Sequence, residues 1–236
     1  MKRLLRWLRP ELHPVIKANQ ERFVDLDWTG PLEGCEFVSV DTELTGLNPR
    51  VDEIVSIGAV RIRNMRIVAG ENFLAYVKPK RELPRDSTLI HRITPEQIKS
   101  APPLSEVLPQ FIEWCGSALL VGHYVGLDMS FLNKAARGLL GGPLGNPCVD
   151  TMKLAQAFQE QLWRDYYDRF NLGVSLNLTA LARRFGLPRF DQHDALEDAF
   201  QTACLFIFLV KRMMASGCGN LKELYQSGRI GTRIFT

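Results

Sequence analysis

Three apolar, β-branched runs follow one another between residues 35 and 79, with only short connections between them. They read CEFVSVDTE, DEIVSIGAVRIRN and RIVAGENFLAYVKP, and the last two meet at Asn64. Runs of this kind are strands, and two strands joined by so short a link form a hairpin. After residue 93 the pattern changes. ITPEQIKSAPPLSEVLPQFIEWCG reads as helix in two pieces, ALLVGHY as a fourth strand, DMSFLNKAARGLL as a helix ended by Gly141 and Gly142, and NPCVDT as a short fifth strand. Three consecutive strands followed by strand–helix alternation predict an α/β fold with a mixed five-stranded sheet flanked by helices.

Helices fill the remainder. TMKLAQAFQEQLW comes first, then a loop around residues 164–175, then LNLTALARRFGLP, and a long helix over about 195–214. Thr94 is a helix N-cap, with Pro95 at the first helical position and Gln97 completing a capping box. Residues 1–33 differ from the rest. Lys2, Arg3, Arg6 and Arg9 interleave with Leu4, Leu5, Trp7 and Leu8, and Pro10 and Pro14 break any helix there. This basic arm either packs on the domain surface or binds nucleic acid or a replication or repair protein.

The composition excludes several classes. With 29 basic against 26 acidic residues, a net charge of +3 does not by itself argue for nucleic-acid binding. The longest apolar run, residues 203–210, is too short to span a bilayer, so no membrane role is expected. The N-terminus lacks the apolar core of a signal peptide, so a cytoplasmic location is expected. Five cysteines without CxxC spacing speak against both disulfides and a zinc site.

The stretch HDALEDA, residues 193–199, places three acids beside one of only four histidines, directly ahead of the greasy run CLFIFLV. Were the whole stretch helical, His193 and Asp198 would lie about 140° apart around the axis. The pair makes better sense if His193 is on a loop and the helix starts just after it. Asp194 is then an N-cap, and Glu197 the third residue of a capping box. Asp198 remains, in the first turn of a helix apolar almost all round, and an ionised carboxylate entering a buried element needs a partner or a metal. A solvated or dipole-stabilised acid is the plainer alternative.

Asp41 and Glu43 stand two apart on the first strand, hence on one face, at its carboxyl end. In open α/β sheets ligands bind at that end. Two like charges so close repel, and without a cation one tends to stay protonated. A polar strand end running into a turn is the alternative. Asp128 follows a strand and a Gly-containing turn and opens a helix, where an ordinary N-cap is the competing reading. His123 in the same stretch fits a packing role at a strand end. Arg61, Arg63 and Arg66 are either a solvated strand face or phosphate contacts.

Taken together, these segments resemble the DEDDh branch of the DEDD exonucleases, the DnaQ-like family of proofreading exonucleases with a ribonuclease H-like fold. Asp41 and Glu43 match its Asp-x-Glu motif, Asp128 its second motif after a Gly-His turn, and HDALED its third, with His193 and Asp198. IHRITPEQI and VDTMKLA are also similar to family segments, and the likeness runs over about residues 35–212. Tyr124 departs from it, since an Asn commonly follows the Gly-His. The loop at 164–175 is longer than usual.

The resemblance implies a 3′–5′ exonuclease domain over residues 34–216, between the basic arm and a C-terminal tail at 217–236. It implies two divalent cations, Mg²⁺ or Mn²⁺, held by Asp41, Glu43, Asp128 and Asp198, with His193 as general base. An imidazole suits that task because it titrates near neutrality. It further implies that Thr42, Thr45, Gly46, Leu47, His123 and Tyr124 contact the substrate. The substrate expected is a nucleic acid 3′ end, single-stranded DNA first. An RNA 3′-end-processing enzyme of the same family, or an inactive binding module that keeps the fold, are the alternatives.

Overall fold

In the computed structural model, residues 12–165 and 175–230 are described. A five-stranded sheet runs in the order β3-β2-β1-β4-β5, with β1 at Glu36–Leu44, β2 at Ile54–Arg63, β3 at Arg66–Tyr76, β4 at Leu119–Gly122 and β5 at Cys148–Asp150. β1, β2 and β3 form an antiparallel meander, whereas β4 pairs parallel with both β1 and β5. The sheet is therefore mixed, as the strand pattern predicts. Asn64 and Met65 make the hairpin turn with φ of 51° and 52°, and Asn is among the residues that tolerate that region.

Alternation along β1 sorts its side chains between two cores. Val38 and Val40 face a cluster with Leu108, Phe111 and Leu132 of helices α4 (Leu104–Cys115) and α5 (Gly126–Leu140). Phe37 faces the opposite cluster, with Leu205, Phe206 and Leu209 of α8 (Ala195–Ala215). By the same period of two, Asp41 and Glu43 lie on the α8 face. α8 crosses β2 and β1. It presents Ala195, Ala199 and Ala203, all essentially inaccessible and spaced four apart, so its backbone comes close to the sheet.

Gly58 makes the closest approach possible. It pairs with Asp41 across the β1–β2 ladder. A Cβ on it would sit 2.2 Å from the Ala195 carbonyl carbon. The first turn of α8 thus rests directly on the strand beside the β1 carboxylates.

The other helices are α1 (Pro14–Glu21), α2 (Arg85–His91), α3 (Pro95–Lys99), α6 (Thr151–Asp165), α7 (Leu178–Arg184) and α9 (Leu221–Gly228). The Thr94 capping box at α3 is formed in full. Pro14 does not break a helix. It begins α1, because Pro's fixed φ and missing N–H suit the first helical turn. Ile16 of α1 is buried in the α4–α5 core, and Leu32 in the α8 core. Lys2, Arg3, Arg6 and Arg9 lie outside the described residues, as does most of the 164–175 loop. α9 lies at the β5 edge, where Leu221 and Leu224 are buried and Tyr225 packs on Trp28 at 4.8 Å between ring centroids. Among the described residues, no helix is long and apolar enough to cross a membrane.

Candidate active site

Asp41, Glu43 and Asp198 converge at the carboxyl end of β1, each offering an oxygen within 4.8 Å of the others. The first two come from one strand face and the third from the turn of α8 that Gly58 admits. Asp128 approaches from α5. It is the third residue of that helix, which starts at Gly126, so it is not the N-cap. Its Oδ1 instead accepts from the Thr42 hydroxyl at 2.6 Å and the Thr42 N–H at 3.0 Å. Thr42 points away from the Asp41–Glu43 face and fastens α5 to β1, which makes it a brace for Asp128.

Burial and mutual repulsion dominate the electrostatics. The Asp41 carboxyl is held well above the ordinary carboxylate range, by burial first and then by Asp128, Asp198 and Glu43. Burial, followed by Asp198 and Asp128, pushes Glu43 up to about 7. Burial also pushes Asp128 up to about 6, against the two bonds from Thr42. Asp198 is raised by burial, and the bond from the His193 N–H opposes this. Among the described residues, none of the four pairs with a lysine or arginine. Buried carboxylates without a counter-charge must either hold protons or gather cations. The donors are all hard carboxylate oxygens, which suits Mg²⁺ or Mn²⁺ better than a soft metal.

His193 lies just outside α8, in the left-handed region with φ 63°. Its N–H donates to Asp198 Oδ2 at 2.8 Å, and its side chain is exposed. The five-residue spacing is therefore bridged by a direct bond from loop to helix. Asp194 caps α8 by accepting from the Leu196 and Glu197 N–H groups. Among the described residues no return bond from Glu197 closes the box.

The turn after β1 is set by Asp52. Its carboxylate accepts from the Asn48 N–H at 2.8 Å and the Thr45 hydroxyl at 3.3 Å. A Cβ on Gly46 would lie 2.6 Å from it, so any side chain there would have to displace the Asp52 carboxylate and its bonds to the turn. Leu47 projects beyond, 76% exposed.

His123, expected to contact the substrate, differs from a free surface imidazole. Its Nδ1 lies 2.8 Å from the Thr151 hydroxyl and its Nε2 2.9 Å from the Leu176 carbonyl. Both nitrogens are engaged internally, and burial pushes the ring down to about 4, so it stays neutral. It links β4 to α6 and the residue 176 segment, the packing role open to a strand-end histidine.

Arg61 and Arg63 differ too. They form four ion pairs with Glu36 and Glu71 at 2.5–3.2 Å, toward the other end of β1. Arg61 is buried, stacked 4.5 Å over the Trp114 ring and bonded to its carbonyl. Arg61 is therefore not part of a solvated face; Arg63, though 41% exposed, has its guanidinium taken up by Glu36 and Glu71, and Arg66 is exposed.

Two contributors hold the site without being assigned a role by the sequence. Gly58 looks like any glycine in a strand. Asp150, in the VDT segment, accepts from the Tyr124 and Met152 N–H groups and ties the β4–α5 turn to α6. An acid ending a short apolar strand was the available signal.

A family model described as RNase T, exonuclease, matches residues 38–206. A DNA polymerase III PolC-type protein of Thermotoga petrophila is 32% identical over 218 residues, covering 92% of this chain and 14% of its own length. A DNA polymerase III subunit epsilon-like protein of Rhodobacter capsulatus is 35% identical, covering 95% of this chain and 33% of its own. The chain thus spans a third or less of these curated relatives. Among solved structures, Exonuclease X in complex with 5′ overhanging duplex DNA superimposes with a TM-score of 0.59 at 25% identity, over 81% of this chain and 98% of that one. E. coli Exonuclease I in complex with a dA16 oligonucleotide gives 0.66 over 77% and 42%, and at 18% identity it speaks to the fold alone.

Proposed function

The chain belongs to the RNase T exonuclease family, and on that footing we propose that it hydrolyses phosphodiester bonds at the 3′ end of single-stranded DNA, releasing 5′-mononucleotides in turn. The observation that carries this reading is the gathering of Asp41, Glu43 and Asp198 within 4.8 Å, drawn from remote parts of the chain and matched by no internal cation among the described residues. DNA is favoured as the polymer because the polymerase-related relatives and the Exonuclease X complex carry DNA in their names.

Asp41, Glu43, Asp128 and Asp198 would hold two divalent cations, Mg²⁺ or Mn²⁺, which when bound would acidify water and neutralise charge on the phosphate and the leaving oxygen. Asp198 restrains the His193 backbone, leaving the exposed ring to swing toward the attacking water and take its proton. Thr42 keeps Asp128 in line with the other acids. Thr45, Gly46 and Leu47, in the turn set by Asp52, meet the terminal nucleotide together with Tyr124, while His123 supports that surface from beneath.

The test uses the full chain with Mg²⁺ and single-stranded oligonucleotides labelled at either end, with matched RNA in parallel. A ladder that shortens from the 3′ end with release of mononucleotides is the expected result. Early loss of a 5′ label would reverse the polarity, and faster loss of RNA would reassign the polymer. No cleavage of either would end the reading. His193→Ala should lower kcat by about 10²–10⁴-fold, as removal of a general base does, with an unchanged melting temperature because the ring is exposed.

A further inference from the structure

Four residues before Asp128, at the carboxyl end of β4, a tyrosine is held in a backbone conformation that bulky side chains rarely adopt. Tyr124 has φ 55° and is 51% exposed. Its N–H donates to Asp150 Oδ1 at 3.1 Å, and its carbonyl accepts from the Leu127 N–H at 3.1 Å. Its ring stands edge-on to His123, centroids 5.0 Å apart, and His123 is itself fixed through both nitrogens. A left-handed non-glycine residue costs on the order of 1–3 kcal/mol and persists only where its surroundings over-determine it. Here a carboxylate, a helix turn and a locked imidazole do so, and the result is a half-exposed aromatic ring at the carboxyl end of β4, four residues ahead of Asp128. Folding gains little from such a ring, whereas an unpaired base gains a surface to stack on.

We propose that Tyr124 is a stacking platform for a base near the 3′ end of the substrate, with Asp150 as the residue that positions it; this rests on the exonuclease reading. Every base has a π-face, so the platform tolerates any sequence but demands an unstacked base. It therefore selects single-stranded over paired ends and intact over abasic ones.

Binding is read by fluorescence anisotropy on the full chain in Ca²⁺. The probes are single-stranded oligonucleotides with phosphorothioate at the last three linkages, with natural or abasic residues at the last three positions. The unaltered protein should bind the natural probe about tenfold more tightly, as expected of base stacking. Tyr124→Ala should bring the two probes within about twofold, and Tyr124→Phe should keep the preference. Asp150→Asn keeps a carbonyl oxygen for both N–H groups and should also keep it, whereas Tyr124→Asn should lose it. An undiminished preference in Tyr124→Ala would overturn the proposal, as would its loss in Tyr124→Phe, which would assign recognition to the hydroxyl. Binding requires no turnover. A chain that discriminates but cleaves nothing refutes the exonuclease reading alone, and one that cleaves while Tyr124→Ala still discriminates refutes the platform alone.

Discussion

β1 carries acids at both ends, and the two ends treat them in opposite ways. Toward its start, Glu36 meets Arg61 and Arg63 and shares them with Glu71, so every charge has an internal partner. At its finish, Asp41 and Glu43 are joined by Asp128 and Asp198, with no basic residue paired to any of them among the described residues. One strand thus holds a completed charge cluster and an incomplete one. The first serves the fold. The second raises the free energy of the folded chain until something positive arrives, as is usual where stability is traded for activity.

The sharpest way to break this contrast is Asp41→Asn. It removes the acid that the other three crowd. Hydrolysis should fall about 10³-fold or more, in keeping with the several kcal/mol a metal clamp supplies. In chelator the same variant should melt higher than the parent, by a few degrees. A loss of activity accompanied by a lower melting temperature would show that the acids were stabilising after all.

A smaller effect is expected at the other end. Arg61→Ala leaves Glu36 and Glu71 short of a partner and uncovers Trp114. Because those carboxylates are partly exposed, the cost should be about 2 kcal/mol of unfolding free energy rather than the larger figure for a fully buried pair. Denaturant titration would measure it, and kcat should not change.

The smallest effect is a slope with pH. Glu43 is pushed up to about 7 and Asp128 to about 6, both above their ordinary values. Between about pH 4.5 and 7 the folded, metal-free chain therefore holds more protons than the unfolded one. Its stability is greatest at the acid end of that window and declines as pH rises through it. Melting curves in chelator should show this decline, and Mn²⁺ should abolish it. A flat profile would mean that the carboxylates are better solvated than their burial implies.

Much of the carboxylate cluster was legible in the sequence because short-range rules generate it. The period of two along β1 puts Asp41 and Glu43 on one face. The cap at Asp194 places His193 outside α8 and Asp198 inside it. What could not be read depends on partners far along the chain. The fate of Arg61 and Arg63 hangs on the β1–β2–β3 register, which brings Glu36 and Glu71 to them. The inward lock on His123 needs Thr151 and Leu176, and the Thr42 brace joins residues 86 apart. Pro14 was misleading for a local reason: the same ring that ends one helix starts another.

Gly58 couples assembly of the chemistry to a point that performs none of it. A Cβ there would meet the Ala195–Leu196 backbone at 2.2–2.3 Å, so strand and helix would have to part just where Asp198 joins Asp41 and Glu43. Gly58→Ala should therefore disturb the carboxylate cluster although residue 58 carries no functional group of its own.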